Sequence, residues 1–234
     1  EKPIVKISNN TYLQVYNKQL PTSLYNLLYK TLTQTQKELS KLNHRRGKKV
    51  FEEHVLNLFI DFFKKDSNYE VYKNYYVEGG SNEKDILIIS KYNAFIIECK
   101  ASRLREPHRN LDTAFIRIKK DFKECIQKGY DQCYEVEKKC SNEKKLAIEN
   151  SNRKKTQIDT SNLINVFSIV VTLEMFGPIQ TNLEYLLEKN SNSDFYPWVV
   201  SVDDLETFLK SLKIVKNNPI NSLTDYLILR ENYN

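Results

Sequence analysis

Residues 84–100 read KDILIISKYNAFIIECK. Two short apolar runs rich in β-branched residues, 86–89 and 94–97, flank the polar break Lys91-Tyr92-Asn93, which is the pattern of a β-hairpin. The charges sit at the ends of the runs: Asp85 precedes the first, and Glu98 and Lys100 follow the second. A loop with an even number of residues, 91–92 or 90–93, sets Asp85 directly across from Glu98. Residues directly opposed in an antiparallel pair share a face, with Cβ atoms about 4.5–5.5 Å apart. Lys100, two residues beyond Glu98, shares that face.

Two ionised carboxylates at such a separation repel each other, and an apolar strand carries them only with compensation. One reading is a salt bridge between Lys100 and an acid. The other is a divalent cation, since Mg²⁺ is held through one or two carboxylates together with waters and phosphate oxygens. Lys100 would then orient or deprotonate a water, or offset charge developing on phosphate. Upstream, residues 46–64 read RGKKVFEEHVLNLFIDFFK, with Val55, Leu56, Phe59, Phe62 and Phe63 at the spacing of an amphipathic helix. Glu52 falls on the apolar stripe, whereas Glu53 aligns with Lys49 and Asn57 on the wetter side. Glu52 is either a first-turn acid favoured by the helix dipole or a third acid aimed at Asp85 and Glu98.

The order of these features resembles the PD-(D/E)XK nuclease superfamily: a helix with Gly47-x₃-Phe51-Glu52, a strand, Asp85, Glu98-x-Lys100, then a helix containing Gln. The resemblance spans roughly residues 46–173, and Lys84 stands where the family's name has Pro. It implies a restriction-endonuclease-like α/β fold, a central mixed β-sheet flanked by helices. It also implies a Mg²⁺- or Mn²⁺-dependent deoxyribonuclease acting in bacterial restriction, antiviral defence or repair. By the same resemblance Asp85 and Glu98 hold the metal, the Cys99 carbonyl assists, Lys100 is catalytic, and Glu52 supports the metal or its waters. Gln132, in GYDQC, is preferred over Gln127 as the helix glutamine. The alternative is a catalytically silent module of the same fold that binds nucleic acid or a partner protein within a larger assembly.

The 234 residues carry net charge +6 and 40% hydrophobic residues, enough for a packed core with a moderate basic bias. HRRGKK, residues 44–49, opens the Glu52 helix, and a second basic cluster follows the E-x-K strand. Arg45, Arg46, Lys48, Arg103, Arg105 and Arg109 are the residues expected to meet DNA. No Gly-rich phosphate loop is present. Cys99, Cys125, Cys133 and Cys140 lack zinc spacing and read as reduced core thiols of a cytoplasmic chain. No signal peptide or membrane-spanning run is visible. The first residue is Glu1 and the single Met is internal, so further residues ahead of it are expected. A homodimer, or a fused or partner sensor or ATPase, is expected alongside DNA.

Three regions are expected: an N-terminal extension over 1–45, a nuclease core over 46–173 and an α/β continuation over 174–234 packed on the core. The first holds a strand pair over 4–16 and a helix from Leu24 to Leu42 with Leu27, Leu28, Leu32 and Leu39 inward. Strands are expected over 69–78, 165–173 and 198–201. Helices are expected over 112–140, 181–189, 202–213 and 222–231, with residues 141–163 a polar loop or solvated helix extension.

Overall fold

Alternation and helical periodicity account for most elements of the computed structural model, which describes residues 4–231 apart from 15, 17–18, 65, 67, 103–109, 192–194 and 216. Two units are distinguished, Glu1–Lys49 and Val50–Asn234. In the first, β1 (Ile4–Ser8) and β2 (Thr11–Gln14) form an antiparallel pair, followed by α1 (Gln19–Leu32) and α2 (Gln36–His44).

The single helix expected from Leu24 to Leu42 is two. Thr35 is extended, its hydroxyl accepts from Glu38 N–H at 3.3 Å, and Glu38 Oε2 accepts from Thr35 N–H at 3.0 Å. This capping box in T-x-x-E starts a new helix and contributes about 1 kcal/mol. Leu27, Leu28 and Leu32, expected inward, are exposed. The two helices instead meet through tyrosines: Tyr29 donates to Asn43 Oδ1, and Arg46 donates to Tyr25 Oη. After α2 the helix continues as a π-turn, Arg45–Phe51, into α3 (Glu52–Phe63).

The second unit then runs β3 (Tyr69–Val77), β4 (Lys84–Ser90), β5 (Asn93–Lys100), α4 (Leu111–Phe122), a π-turn (Lys123–Gln127) and α5 (Lys128–Asn142). It continues with β6 (Lys145–Asn150), β7 (Lys155–Asp159), β8 (Asn165–Thr172), α6 (Pro178–Thr181), β9 (Trp198–Ser201), α7 (Val202–Val215) and α8 (Pro219–Glu231). The seven strands form one mixed sheet in the order β7-β6-β3-β4-β5-β8-β9. The β5–β8–β9 pairings are parallel and the others antiparallel. The β5-to-β8 connection runs through the helical segment α4–α5 and then the β6–β7 hairpin, the long crossover that parallel neighbours require.

Alternation splits the sheet's side chains into two cores. Ile86, Ile88, Phe95, Ile97, Phe167 and Ile169 pack against Val55, Phe59 and Phe63 of α3 and Leu205 of α7. Leu87, Ile96 and Val170 pack against Tyr130, Cys133 and Val136 of α5. The most apolar strand, β8, is interior, and all four cysteines are buried free thiols. Among the described residues no helix is long and apolar enough to cross a membrane.

Two expectations fail here. Residues 145–159 form the β6–β7 hairpin, and β6 extends the sheet beyond β3. Its short alternation buries Leu146, Ile148 and Ile158, while the Lys and Glu between them give the segment the polarity of a loop. The helix expected over 181–189 reduces to the turn α6 and a 3₁₀ turn, Leu183–Tyr185. Leu183 and Leu187 are buried, and Gln127 Oε1 accepts from Glu188 N–H at 2.9 Å. Gln127 is thus tied to this segment through its side chain.

Candidate active site

The hairpin closes with the two-residue turn Lys91–Tyr92, because Ser90 pairs with Asn93 and Ile86 with Ile97. One step further in that register, Asp85 stands across from Glu98. Glu98 is completely buried, Asp85 is half-buried, and the Lys100 side chain is 11% exposed. Cys99 N–H donates to Asp85 Oδ2 at 2.7 Å, and Asp85 N–H points at Glu98 Oε1 at 3.4 Å. The end of β5 and the start of β4 are therefore joined through the two acids themselves.

Lys100 donates to Glu98 Oε2 at 2.7 Å and to Gln132 Oε1 at 2.7 Å. Gln132 lies on α5 and its amide donates to the Glu83 carbonyl at 3.3 Å, just ahead of Asp85. Asp85, Glu98, Lys100 and Gln132 thus converge. Gln127, the other glutamine weighed from the sequence, instead contacts Asp131 and Glu188.

Electrostatics follows from burial. Desolvation, with the Asp85 charge added, pushes the Glu98 carboxyl up to about 7. Desolvation likewise raises Asp85, against the pull of Lys100 and the Cys99 hydrogen bond. Burial pulls the Lys100 ammonium down, but Glu98 and Asp85 outweigh it and the net direction is upward. In this arrangement Lys100 is a firmly protonated hydrogen-bond donor.

Glu52, at the start of α3, is half-buried and close enough to add to the forces that raise the Cys99 thiol. Among the described residues no three His, Cys, Asp or Glu side chains converge on one point a metal could occupy. The donor set is the Asp85–Glu98 pair. Those hard carboxylate oxygens, both raised by burial and Glu98 further by the Asp85 charge, fit a divalent cation that completes its shell with water and phosphate oxygens.

Two residues given no structural role in the sequence reading shape the site. Gly129 is three residues before Gln132 on α5. A Cβ there would lie 2.7 Å from Val170 Cγ1 and 3.2 Å from Lys100 Cε. Gly129 therefore lets α5 approach the sheet where Lys100 must fold over. Lys84, immediately before Asp85, is 0% exposed and pairs with Glu135 Oε2 at 2.5 Å. The signal for Gly129 was a lone glycine on an otherwise continuous helical pattern; for Lys84 it was a cation opening an apolar strand.

Of the residues expected to meet DNA, Arg103, Arg105 and Arg109 lie outside the described residues. Arg45 is exposed, and Lys48 is half-buried. Arg46 is turned to α1, with its guanidinium 5.7 Å from the Tyr29 ring centroid. His54 Nε2–H donates to the Glu206 carboxylate at 3.1 Å, and His54 lies outside the convergence.

The family model of the nuclease-related domain, NERD, matches residues 46–172, just over half of the chain. The match takes in α3, the 84–100 hairpin, α5 and β8. No curated protein and no solved structure matches the chain.

Proposed function

On the premise that the chain belongs to the nuclease-related domain family, a PD-(D/E)XK-like nuclease family, we propose that it hydrolyses phosphodiester bonds of DNA with the help of a divalent cation. The observation that carries this reading is the convergence of Asp85, Glu98, Lys100 and Gln132 from three elements of one sheet-and-helix layer. Asp85 and Glu98 would hold Mg²⁺ or Mn²⁺, with the Cys99 carbonyl and Glu52 contributing directly or through water. Bound there, the cation supplies Lewis acidity and an acidified water at neutral pH.

The chain's own residues do the rest. Lys100, fixed by Gln132, presents an ammonium to the attacked phosphate and stabilises charge that develops on its oxygens. With a cation held by Glu98, the ammonium that now donates to Glu98 Oε2 at 2.7 Å would be available for this role. Gln132 keeps the Lys100 stem over the site from the α5 side. Substrate classes in restriction, antiviral defence or repair all present the same phosphodiester.

The test is cleavage of supercoiled plasmid with Mg²⁺ or Mn²⁺, comparing wild type with Asp85→Ala, Glu98→Ala and Lys100→Ala. Cleavage that depends on the metal and drops at least a hundredfold in each variant supports the proposal. Equal cleavage in all four proteins rejects it. A second reading rests on the 2.7 Å Lys100–Glu98 pair: an internal ammonium already neutralises the buried acid, as a silent binding module would need. That reading gains if wild type binds DNA at saturating Mn²⁺ and cleaves none.

A further inference from the structure

We propose that the N-terminal unit, residues 1–49, docks the phosphate backbone of nucleic acid along one face of α2 and the π-turn that follows, through Lys37, Lys41, Arg45 and Lys49. Residues 1–49 contain ten Lys and Arg against two Glu, a net +8. The whole chain is +6, so +6 minus +8 leaves residues 50–234 at −2. The entire basic bias of the protein resides in this unit, ahead of most of the segment that the family model matches.

The arrangement of the charge is as informative as its amount. Lys37, Lys41, Arg45 and Lys49 recur every four residues, so they line one helix face at steps of about 6 Å. All four are exposed, and none pairs with a carboxylate among the described residues. Glu38, the one acid in residues 2–49, has its carboxylate engaged by Thr35 in the capping box. Asn43 and Arg46 meet Tyr29 and Tyr25 of α1, and helical periodicity puts Asn43 on the side opposite the row. The row therefore faces away from α1.

Four like charges in line on one helix repel one another. A linear polyanion relieves that repulsion, and its phosphates form the matching row. An anionic lipid surface is the competing polyanion, and the test includes it. The choice of nucleic acid rests on the nuclease reading; the docking row itself rests on charge and spacing.

The experiment is fluorescence anisotropy of the full chain with a labelled DNA duplex in EDTA, where metal-dependent cleavage does not occur, over a series of salt concentrations. The variant is Lys37→Gln/Lys41→Gln/Arg45→Gln/Lys49→Gln, checked for unchanged far-UV circular dichroism. Lys37→Gln/Lys41→Gln serves if the quadruple variant does not fold. Each phosphate contact contributes about 0.9 to the slope of log affinity on log salt. The quadruple variant is expected to bind at least tenfold more weakly with a slope smaller by about 3–4, and the double variant to lose about half of that slope. Neutralising Lys73, Lys155 and Lys210, exposed on the second unit, leaves the affinity within twofold. Wild-type affinity and slope in the variants overturn the proposal, as does binding to phosphatidylserine vesicles with none to DNA. Because binding is scored without cleavage, its loss and the loss of cleavage in Asp85→Ala are separate results.

Discussion

Lys100 donates to Gln132 Oε1 at 2.7 Å across thirty-two residues of sequence, joining the end of β5 to the second turn of α5. The bond costs little to form because both groups are already placed, Gln132 by the Glu83 carbonyl and Lys100 by Glu98. Without Oε1 the ammonium keeps only Glu98 and is free to swing.

Gln132→Leu is therefore expected to lower kcat for plasmid cleavage by tenfold or more while KM stays within about threefold, the pattern of an interaction that matters in the transition state. Stability falls by about 1 kcal/mol, the ordinary net value of one such bond. A wild-type kcat in a folded Gln132→Leu protein would show that Lys100 holds its position without help.

Gly129→Ala should destabilise, although alanine in a helix normally gains about 1 kcal/mol over glycine. The new methyl would stand 2.7 Å from Val170 Cγ1, and real Cβ atoms do not approach so closely. Val170 is in the core of β8 and cannot yield freely. The expected loss is about 1–3 kcal/mol of overpacking strain, with α5 pushed off Lys100 and cleavage reduced. Urea denaturation checks the sign: a higher midpoint for Gly129→Ala contradicts the packing.

Where the chain was readable before its structure, local pattern and tertiary demand coincided. The 84–100 hairpin is two apolar, β-branched runs about a polar break, so its strands were plain, and an even-numbered loop set Asp85 across from Glu98. The apolar stripe of α3 and the largely apolar run of β8, broken only by Ser168, were equally plain. The β6–β7 hairpin was missed because Lys145, Glu149 and Lys155 surround its few inward residues, and only pairing with β3 decides it. The fully buried Lys84 was missed for a similar reason: its partner Glu135 is fifty-one residues away. Gly129 carried no visible role until Val170 and Lys100 were placed beside it.

Stability of the metal-free protein is expected to fall between about pH 5 and pH 8. Glu98 titrates near 7 in the folded chain, against 4.5 ordinarily. Over that window the native state holds a proton that the unfolded chain has released, so raising the pH favours unfolding. The contribution is fully present below the ordinary value, is lost as pH rises through 7 and levels off above it. It amounts to roughly 3 kcal/mol from Glu98, and Asp85, also raised, acts in the same direction. Glu231, raised to about 7 by burial and Glu137, adds a smaller slope of the same sign far along the chain on α8, because solvent reaches it. Mg²⁺ at the acids would remove the part due to Glu98 and Asp85 alone. Thermal unfolding in EDTA and in Mg²⁺ at several pH values separates the two, and parallel curves would argue against a cation at this pair.

Lys84 and Glu135 should respond unequally to loss of the partner. The Lys84 side chain is 0% exposed, whereas that of Glu135 is 33% exposed. Glu135→Gln leaves a fully buried ammonium without its carboxylate, for which about 3–5 kcal/mol is the usual loss. Lys84→Met leaves a carboxylate that water can reach, and the methionine fills the vacated space, so the loss is smaller. The double variant Lys84→Met/Glu135→Gln removes the buried charge altogether and is expected to be more stable than Glu135→Gln alone. Chemical denaturation of the four proteins completes the cycle. Equal destabilisation by the two single changes would mean that water reaches Lys84, and that the start of β4 opens more than a fully buried ammonium allows.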